Sequence, residues 1–295
     1  MIALDSISGF ISTLQHARSI ALTAYTLREG RVLRALEAAA RRGADVRVRL
    51  ERDPLDDAAG TLHQASAASI AALRAAGAKA ETTEPGEPVL HLKAAAVDGV
   101  AWLDDRNWAS GGAERILRDD DPDDVAAVTA AVAGKPGADG HLATTKSGAQ
   151  WLEADVIRAA GAASLIVESE SFGNGTIYNA LLHRAQTHEP TRLIVAGREV
   201  AEAGSASERS RLAHLAALGV EIRVGDPNHG DLDEKLAVSG GDSWVGSANA
   251  TYARGTFGEQ RDWGIASREP GIVDGLRAAF ERNWLAARPL ATVVQ

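Results

Sequence analysis

The sequence predicts an α/β fold built from two tandem repeats. Three observations carry this. Short apolar runs of strand length alternate with Ala/Leu-rich runs of helix length, which is the pattern of α/β architectures. Glycines follow those helical runs at the position where helices stop. The third is an internal repeat at a nearly fixed offset. Lys93, Trp102 and Asn107 recur as Lys235, Trp244 and Asn249, each 142 residues later. Leu73-Arg-Ala-Ala-Gly77 recurs as Leu215-Ala-Ala-Leu-Gly219 at the same offset, whereas Ser19-Ile-Ala-Leu-Thr and Arg47-Val-Arg-Leu recur as Ser164-Leu-Ile-Val-Glu and Arg192-Leu-Ile-Val at 145. Ile-Leu-Arg-Asp-Asp-Asp-Pro122 similarly resembles Gly-Ile-Ala-Ser-Arg-Glu-Pro270.

Within a repeat the elements read β-α-β-α-β-β-α. Ser19 to Tyr25 is an apolar strand. Arg31 to Arg42 is a helix stopped by Gly43, and Ala44 to Leu50 alternates as a strand. Leu62 to Ala76 is a second helix, stopped by Gly77. Val89 to Val97 and Val100 to Asp104 form a hairpin across Asp98-Gly99, a strong turn pair. Asp123 to Val132 closes the unit as a helix. The second repeat runs in parallel, with Gly240-Gly241 at the equivalent turn and a last helix from Gly271 to Trp284. The Gly/Pro-rich stretch Ala133 to His141 reads as a linker. The organisation expected is therefore residues 1–133, a linker over 134–146, and residues 147–295.

Composition narrows the chemistry. The chain has 295 residues, 45% hydrophobic and 24% charged, the balance of a globular protein. No apolar run reaches the ~20 residues of a membrane span. The first residues lack the basic start and apolar core of a signal peptide, so a cytoplasmic location is expected. With no cysteine, disulfides, thiolate metal sites and thiol nucleophiles are excluded. A net charge of −9 argues against a general polyanion binder, so nucleic acid is the disfavoured partner. Phosphate-loop, dinucleotide-binding and nucleophile-elbow motifs are absent, and the eight histidines are scattered without metal-ligand spacing.

What remains is His91-Leu-Lys93. On a strand with period two these side chains share a face, about 6–7 Å apart. Lys supplies positive charge for an anion, and imidazole supplies a nucleophile or a proton donor. In the second repeat Gly246-Ser247-Ala-Asn249 follows a strand, where small residues admit backbone N–H groups, a hydroxyl and an amide to an anion.

The pattern H-x-K-x4-D followed by a G-S-x-N-like segment, present twice, resembles the phospholipase D superfamily. The resemblance extends over nearly the whole chain. It implies two mixed sheets flanked by helices, one cleft between the repeats, and a phosphodiesterase or phosphatidyltransferase that needs no metal or other cofactor. It further implies a phosphohistidine on His91, with Asp98 and Asp233 in the remaining catalytic positions. Lys93, Asn107, Lys235, Ser247 and Asn249 would hold the phosphate of a lipid or other diester. Asp233 stands where the family has its second His, and would serve as leaving-group acid only with a raised pKa. Gly240 stands where the family has its second Asp, so His91 is expected to lack an orienting carboxylate. Asp104-Asp105-Arg106-Asn107 replaces the first G-S-x-N. A catalytically degenerate phosphate-binding scaffold and a nuclease of the same superfamily are the alternatives. Trp102 and Trp244 read as core, Glu168 and Glu170 as surface acids, and Asp119 to Asp124 as a solvated helix start.

Overall fold

The computed structural model describes residues 1–55, 57, 59–109, 116–135, 137, 141–197, 200, 206–225, 234–251, 254–255 and 258–292. They fall into two compact units. The first comprises Met1–Lys146 together with Arg254–Trp263, and the second comprises Ser147–Ala253 and Gly264–Gln295. The late segment Arg254–Trp263, which the repeat pattern places in the second half, thus packs in the first unit.

The first unit runs β1 (Ile2–Asp5), α1 (Ile7–Leu14), β2 (Ser19–Ala24), α2 (Arg31–Arg41), β3 (Asp45–Leu50), α3 (Thr61–Ala75), β4 (Lys79–Thr82), β5 (Ala94–Val97), β6 (Val100–Asp104), β7 (Ile116–Asp119), α4 (Pro122–Val132) and β8 (Leu142–Ala143). Its main sheet has the order β1-β7-β6-β5-β2-β3-β4. Strands β2, β3 and β4 are parallel, and β5, β6 and β7 add antiparallel.

Then follow α5 (Lys146–Ala159), β9 (Leu165–Ser169), α6 (Thr176–Gln186), β10 (Thr191–Val195), α7 (Ala206–Ala217), β11 (Glu221–Val224), β12 (Leu236–Ser239), β13 (Asp242–Gly246), β14 (Arg254–Gly255), β15 (Gly258–Glu259), β16 (Gly264–Ser267), α8 (Pro270–Ala286) and β17 (Arg288–Pro289). Within the second unit the strands follow β17-β11-β10-β9-β12-β13-β16. From β16 to β11 this is the first unit's order from β7 to β4, with the same parallel and antiparallel joints. The two-repeat α/β reading holds, and each sheet is mixed. β1 and β17 are edge strands peculiar to each unit.

Local chemistry accounts for the main elements. The β5–β6 turn has positive φ at Asp98 and Gly99, 47° and 84°, the geometry that asks for Asx-Gly. Asp121 caps α4 by accepting from the Asp123 N–H, with Pro122 in the first turn. α1, not foreseen above, is capped by Ser6 and buries Ile7, Phe10, Ile11 and Leu14 at helical spacing. In the first unit Phe10, Ile20, Leu22, Leu36, Val48, Leu73, Trp102 and Trp108 form one core. In the second Leu165, Val167, Leu193, Val238, Trp244 and Phe280 are fully buried or nearly so. Both repeat-matched tryptophans are core residues, as expected.

Two acidic stretches depart from the surface reading. Glu168 is wholly buried, and Glu170 keeps only about a fifth of its side chain exposed. Asp119 and Asp124 are buried as well, while Asp120 and Asp123 remain exposed. Their cover comes from partners elsewhere in the fold. The Leu142 N–H, for instance, donates to Asp124 at 3.2 Å.

Candidate functional site

The hairpin strand expected from Val89 begins only at Ala94. His91, Leu92 and Lys93 form an irregular lead-in to it. What holds this lead-in is the returning segment 260–263, whose Arg261 bridges Leu90 in parallel. The Arg261 N–H donates to the Val89 carbonyl at 2.8 Å, and the His91 N–H donates to the Arg261 carbonyl at 2.9 Å. The Arg261 guanidinium donates to the Gly134 carbonyl at 2.8 Å. Lys146 grips Gln260 twice, through its backbone N–H at 3.0 Å and its ammonium at 2.7 Å.

This strap delivers Asp262 to His91. The carboxylate Oδ1 lies 2.6 Å from His91 Nδ1, and Asp262 is fully buried. The other ring nitrogen, Nε2, lies 2.8 Å from Lys93 Nζ. An ammonium only donates, so neutral His91 has its proton on Nδ1, given to Asp262, and its lone pair on Nε2. Burial by itself would raise the Asp262 pKa. The charge of His91 in its protonated form and its hydrogen bond, followed by Lys146 and Lys93, outweigh it and hold the group at about 2. Tyr25 completes the cluster. Its ring meets the His91 ring edge-on at 5.0 Å, and Lys93 Nζ stands 5.7 Å from its centre, within cation–π range. Lys93 is 2% exposed, whereas His91 keeps about a fifth of its side chain open. The arrangement is an imidazole oriented through Nδ1, with a buried cation at its other ring nitrogen.

Asp262 corrects the expectation that Gly240 leaves His91 without an orienting carboxylate. A separation of 171 residues carries no local signal, which is why sequence spacing missed it. Tyr25 was read only as the end of a strand.

The remaining sequence candidates fall in different places. Asp98 lies at the far end of β5 from Lys93. Its carboxylate accepts from the Arg18 N–H at 3.1 Å and the Ser19 N–H at 2.8 Å, which ties the hairpin turn to the start of β2. The structure therefore does not bring Asp98 to His91. Asn107 accepts from the Thr26 N–H at 3.2 Å through its side-chain oxygen, next in sequence to Tyr25. Asp104 turns inward to accept from the Arg106 and Trp108 amides at 3.1 and 2.5 Å. Asp233 lies outside the described residues.

In the second unit Lys235 and Asn249 meet a carboxylate that the sequence reading left at the surface. Lys235, 3% exposed, pairs with Glu170 Oε2 at 3.0 Å. Asn249 donates to the same oxygen at 3.1 Å. Ser247 is fully buried. Beside them, Asn283 donates to Glu168 at 2.8 Å and to Glu234 at 3.3 Å. Among the described residues no cluster of three or more His, Asp or Glu could hold a metal ion.

Comparison with known proteins found one family model and several solved structures of similar fold. The family described as cardiolipin synthase, PLD-like domain, matches residues 10–117, the stretch that contains Tyr25, His91 and Lys93. The sequence likeness to a phospholipase D-like domain thus covers residues 10–117. The fold extends the likeness to the rest of the chain. Phosphatidylserine synthase of Haemophilus influenzae superposes over 100% of this chain and 89% of its own, with a TM-score of 0.72 at 10% identity. Polyphosphate kinase of Porphyromonas gingivalis superposes over 96% of this chain with a TM-score of 0.67 at 15% identity. This chain spans 50% of that kinase. No curated protein matches the sequence. The phospholipase D-like fold thus has two repeats here, of which the first carries the complete His-Lys pair. No helix among the described residues is long and apolar enough to cross a membrane.

Proposed function

We propose that this phospholipase D-like chain is a metal-independent phosphodiesterase acting through a phosphohistidine on His91. The observation that supports it is the His91 Nδ1–Asp262 bond of 2.6 Å with Lys93 Nζ at 2.8 Å from Nε2. In this reading the Nε2 lone pair attacks phosphorus and the bond from phosphorus to the leaving oxygen breaks. Lys93 moves from Nε2 to a non-bridging oxygen and neutralises its charge. Asp262 balances the imidazolium that forms. The leaving oxygen takes a proton, for which Asp233 is the candidate donor. Water or an alcohol then attacks the phosphohistidine, so that hydrolysis or transfer follows and His91 is restored. Lys235, Ser247, Asn249 and Asn107 are assigned to the phosphate. The names of the two structural relatives, a phosphatidylserine synthase and a polyphosphate kinase, favour phosphorus chemistry, and the net charge of −9 favours a lipid or small diester over nucleic acid.

A second reading has one observation in its favour. Lys235 and Asn249 already hold Glu170, which suits a phosphate-binding scaffold with reduced chemistry. The test is turnover of bis(4-nitrophenyl) phosphate, whose leaving group needs little protonation. The enzyme reading expects turnover that His91→Ala abolishes, with Asp233→Asn impairing only diesters of poor leaving groups. A folded parent protein with no turnover, but with phosphate binding through Lys93 and Lys235, rejects it in favour of the scaffold.

A further inference from the structure

The two repeats differ at one equivalent position beside their lysines. Each central strand pairs with the same neighbours, and the residue directly after it lies on the lysine that directly precedes the next hairpin. In the first unit that residue is Tyr25, after Ala24, and it offers Lys93 a ring face at 5.7 Å. In the second it is Glu170, after Ser169, and it offers Lys235 a carboxylate oxygen at 3.0 Å. The ring face brings no negative charge to this position, whereas the carboxylate does.

Glu170 is held in this place by its own loop. Phe172 bridges Ala250 in parallel, and the Gly173 N–H donates to the Ala250 carbonyl at 2.7 Å. A Cβ on Gly173 would lie 2.8 Å from the Thr251 Cα, so the two loops approach as closely as backbones allow. The Ala250 N–H donates to Ser169 Oγ at 3.2 Å. The 170–173 loop is thereby fastened to the 249–251 loop, and Glu170 Oε2 receives both the Lys235 ammonium and the Asn249 amide. One oxygen taking a lysine and an asparagine together is the coordination that a phosphate oxygen would take.

We infer that Glu170 is a built-in competing anion: it fills the phosphate place of the second repeat and must be displaced before Lys235 and Asn249 can hold a phosphate. This rests on assigning those two residues to the phosphate. Anion affinity in the second unit is then set by Glu170, which stands where the first repeat has Tyr25. A ligand phosphate, with more charge and more acceptor oxygens than one carboxylate, can exchange with it.

The experiment is isothermal titration of inorganic phosphate into the full chain, free of activity readouts. Glu170→Gln keeps the side-chain shape and removes the charge, and Glu170→Tyr installs the first repeat's residue. Both are expected to bind phosphate about tenfold or more tightly, because a buried ammonium loses its internal partner. Adding Lys235→Met to either should remove the gain. Unchanged or weaker binding in folded Gln and Tyr variants overturns the inference. If neither variant folds, phosphate is titrated into the parent protein labelled at the glutamate side-chain carboxyl carbons. A shift of the Glu170 resonance that saturates with phosphate supports displacement, and a resonance indifferent to phosphate overturns it. Failure of the His91 chemistry would show in turnover and leave these binding results intact. Failure of the phosphate assignment would show as a gain in the Gln and Tyr variants that Lys235→Met leaves intact.

Discussion

Replacing Asp262 by asparagine removes one charge and leaves the side-chain volume nearly unchanged. The carboxyl is held at about 2 against an ordinary 3.8. At 1.36 kcal/mol per pKa unit, that gap amounts to about 2.5 kcal/mol in favour of the ionised form. Burial opposes ionisation, so the attraction supplied by His91, Lys146 and Lys93 is larger still. If the nascent imidazolium loses between half and all of that 2.5 kcal/mol, the barrier to attack rises enough to slow turnover about 10- to 60-fold. The assay is steady-state turnover of bis(4-nitrophenyl) phosphate by Asp262→Asn, with His91→Ala as the null. The loss should fall on kcat, because the positioned charge acts on the transition state. An Asp262→Asn protein within threefold of its parent, beside a dead His91→Ala, would refute the reasoning. The same depressed pKa has a stability counterpart. It stabilises the fold above about pH 4 and is lost as pH falls toward 2. Asp262→Asn should flatten that acid limb in thermal unfolding.

Other outcomes follow from the same geometry. Burial, then the hydrogen bond and charge of Asp119, raise the Asp124 carboxyl to about 7. Its protonated form is favoured in the fold, so this contribution is full below about pH 4 and is lost as pH rises through 7. Thermal midpoints should fall over that window, and Asp124→Asn should remove the slope. Asp98→Ala loses acceptors for the Arg18 and Ser19 amides, which should cost about 1–2 kcal/mol in denaturant unfolding. Turnover by the folded Asp98→Ala protein should stay within about threefold of the parent, since a carboxylate that only braces a turn adds no transition-state term; a hundredfold loss would return Asp98 to the chemistry. Activity should survive chelation by EDTA, because attack by imidazole and neutralisation by ammonium need no divalent ion; complete, metal-reversible loss would reject the mechanism.

The repeat was legible because equivalent strands carry equivalent residues. Lys93 and Lys235, Trp102 and Trp244 fall in matched places in two sheets of the same strand order. The Asp98-Gly99 turn was legible because backbone with positive φ selects its residues locally. β4 was not legible. Lys79-Ala-Glu-Thr has a single apolar residue, and it is a strand because β3 offers it a parallel edge. The lead-in at His91 fooled the period-two argument for a similar reason. Its partner, Arg261, arrives from far along the chain, and the side chains of His91 and Lys93 converge without a regular strand. Glu170 looked like a surface acid because composition weighs a carboxylate by type, whereas its burial is decided by a lysine and an asparagine from the next hairpin.

The strap also fixes an order of events in biogenesis. His91 and Lys93 leave the ribosome early, while Asp262 follows 171 residues after His91. At about 5–20 residues per second, that interval is roughly 10 to 35 seconds. Until it has passed, the nascent first unit displays an imidazole with no carboxylate to set its tautomer. A chain interrupted between residues 117 and 254 keeps the stretch by which the domain is recognised and lacks the residue that orients its histidine, so such premature products should be inert however well their first unit folds.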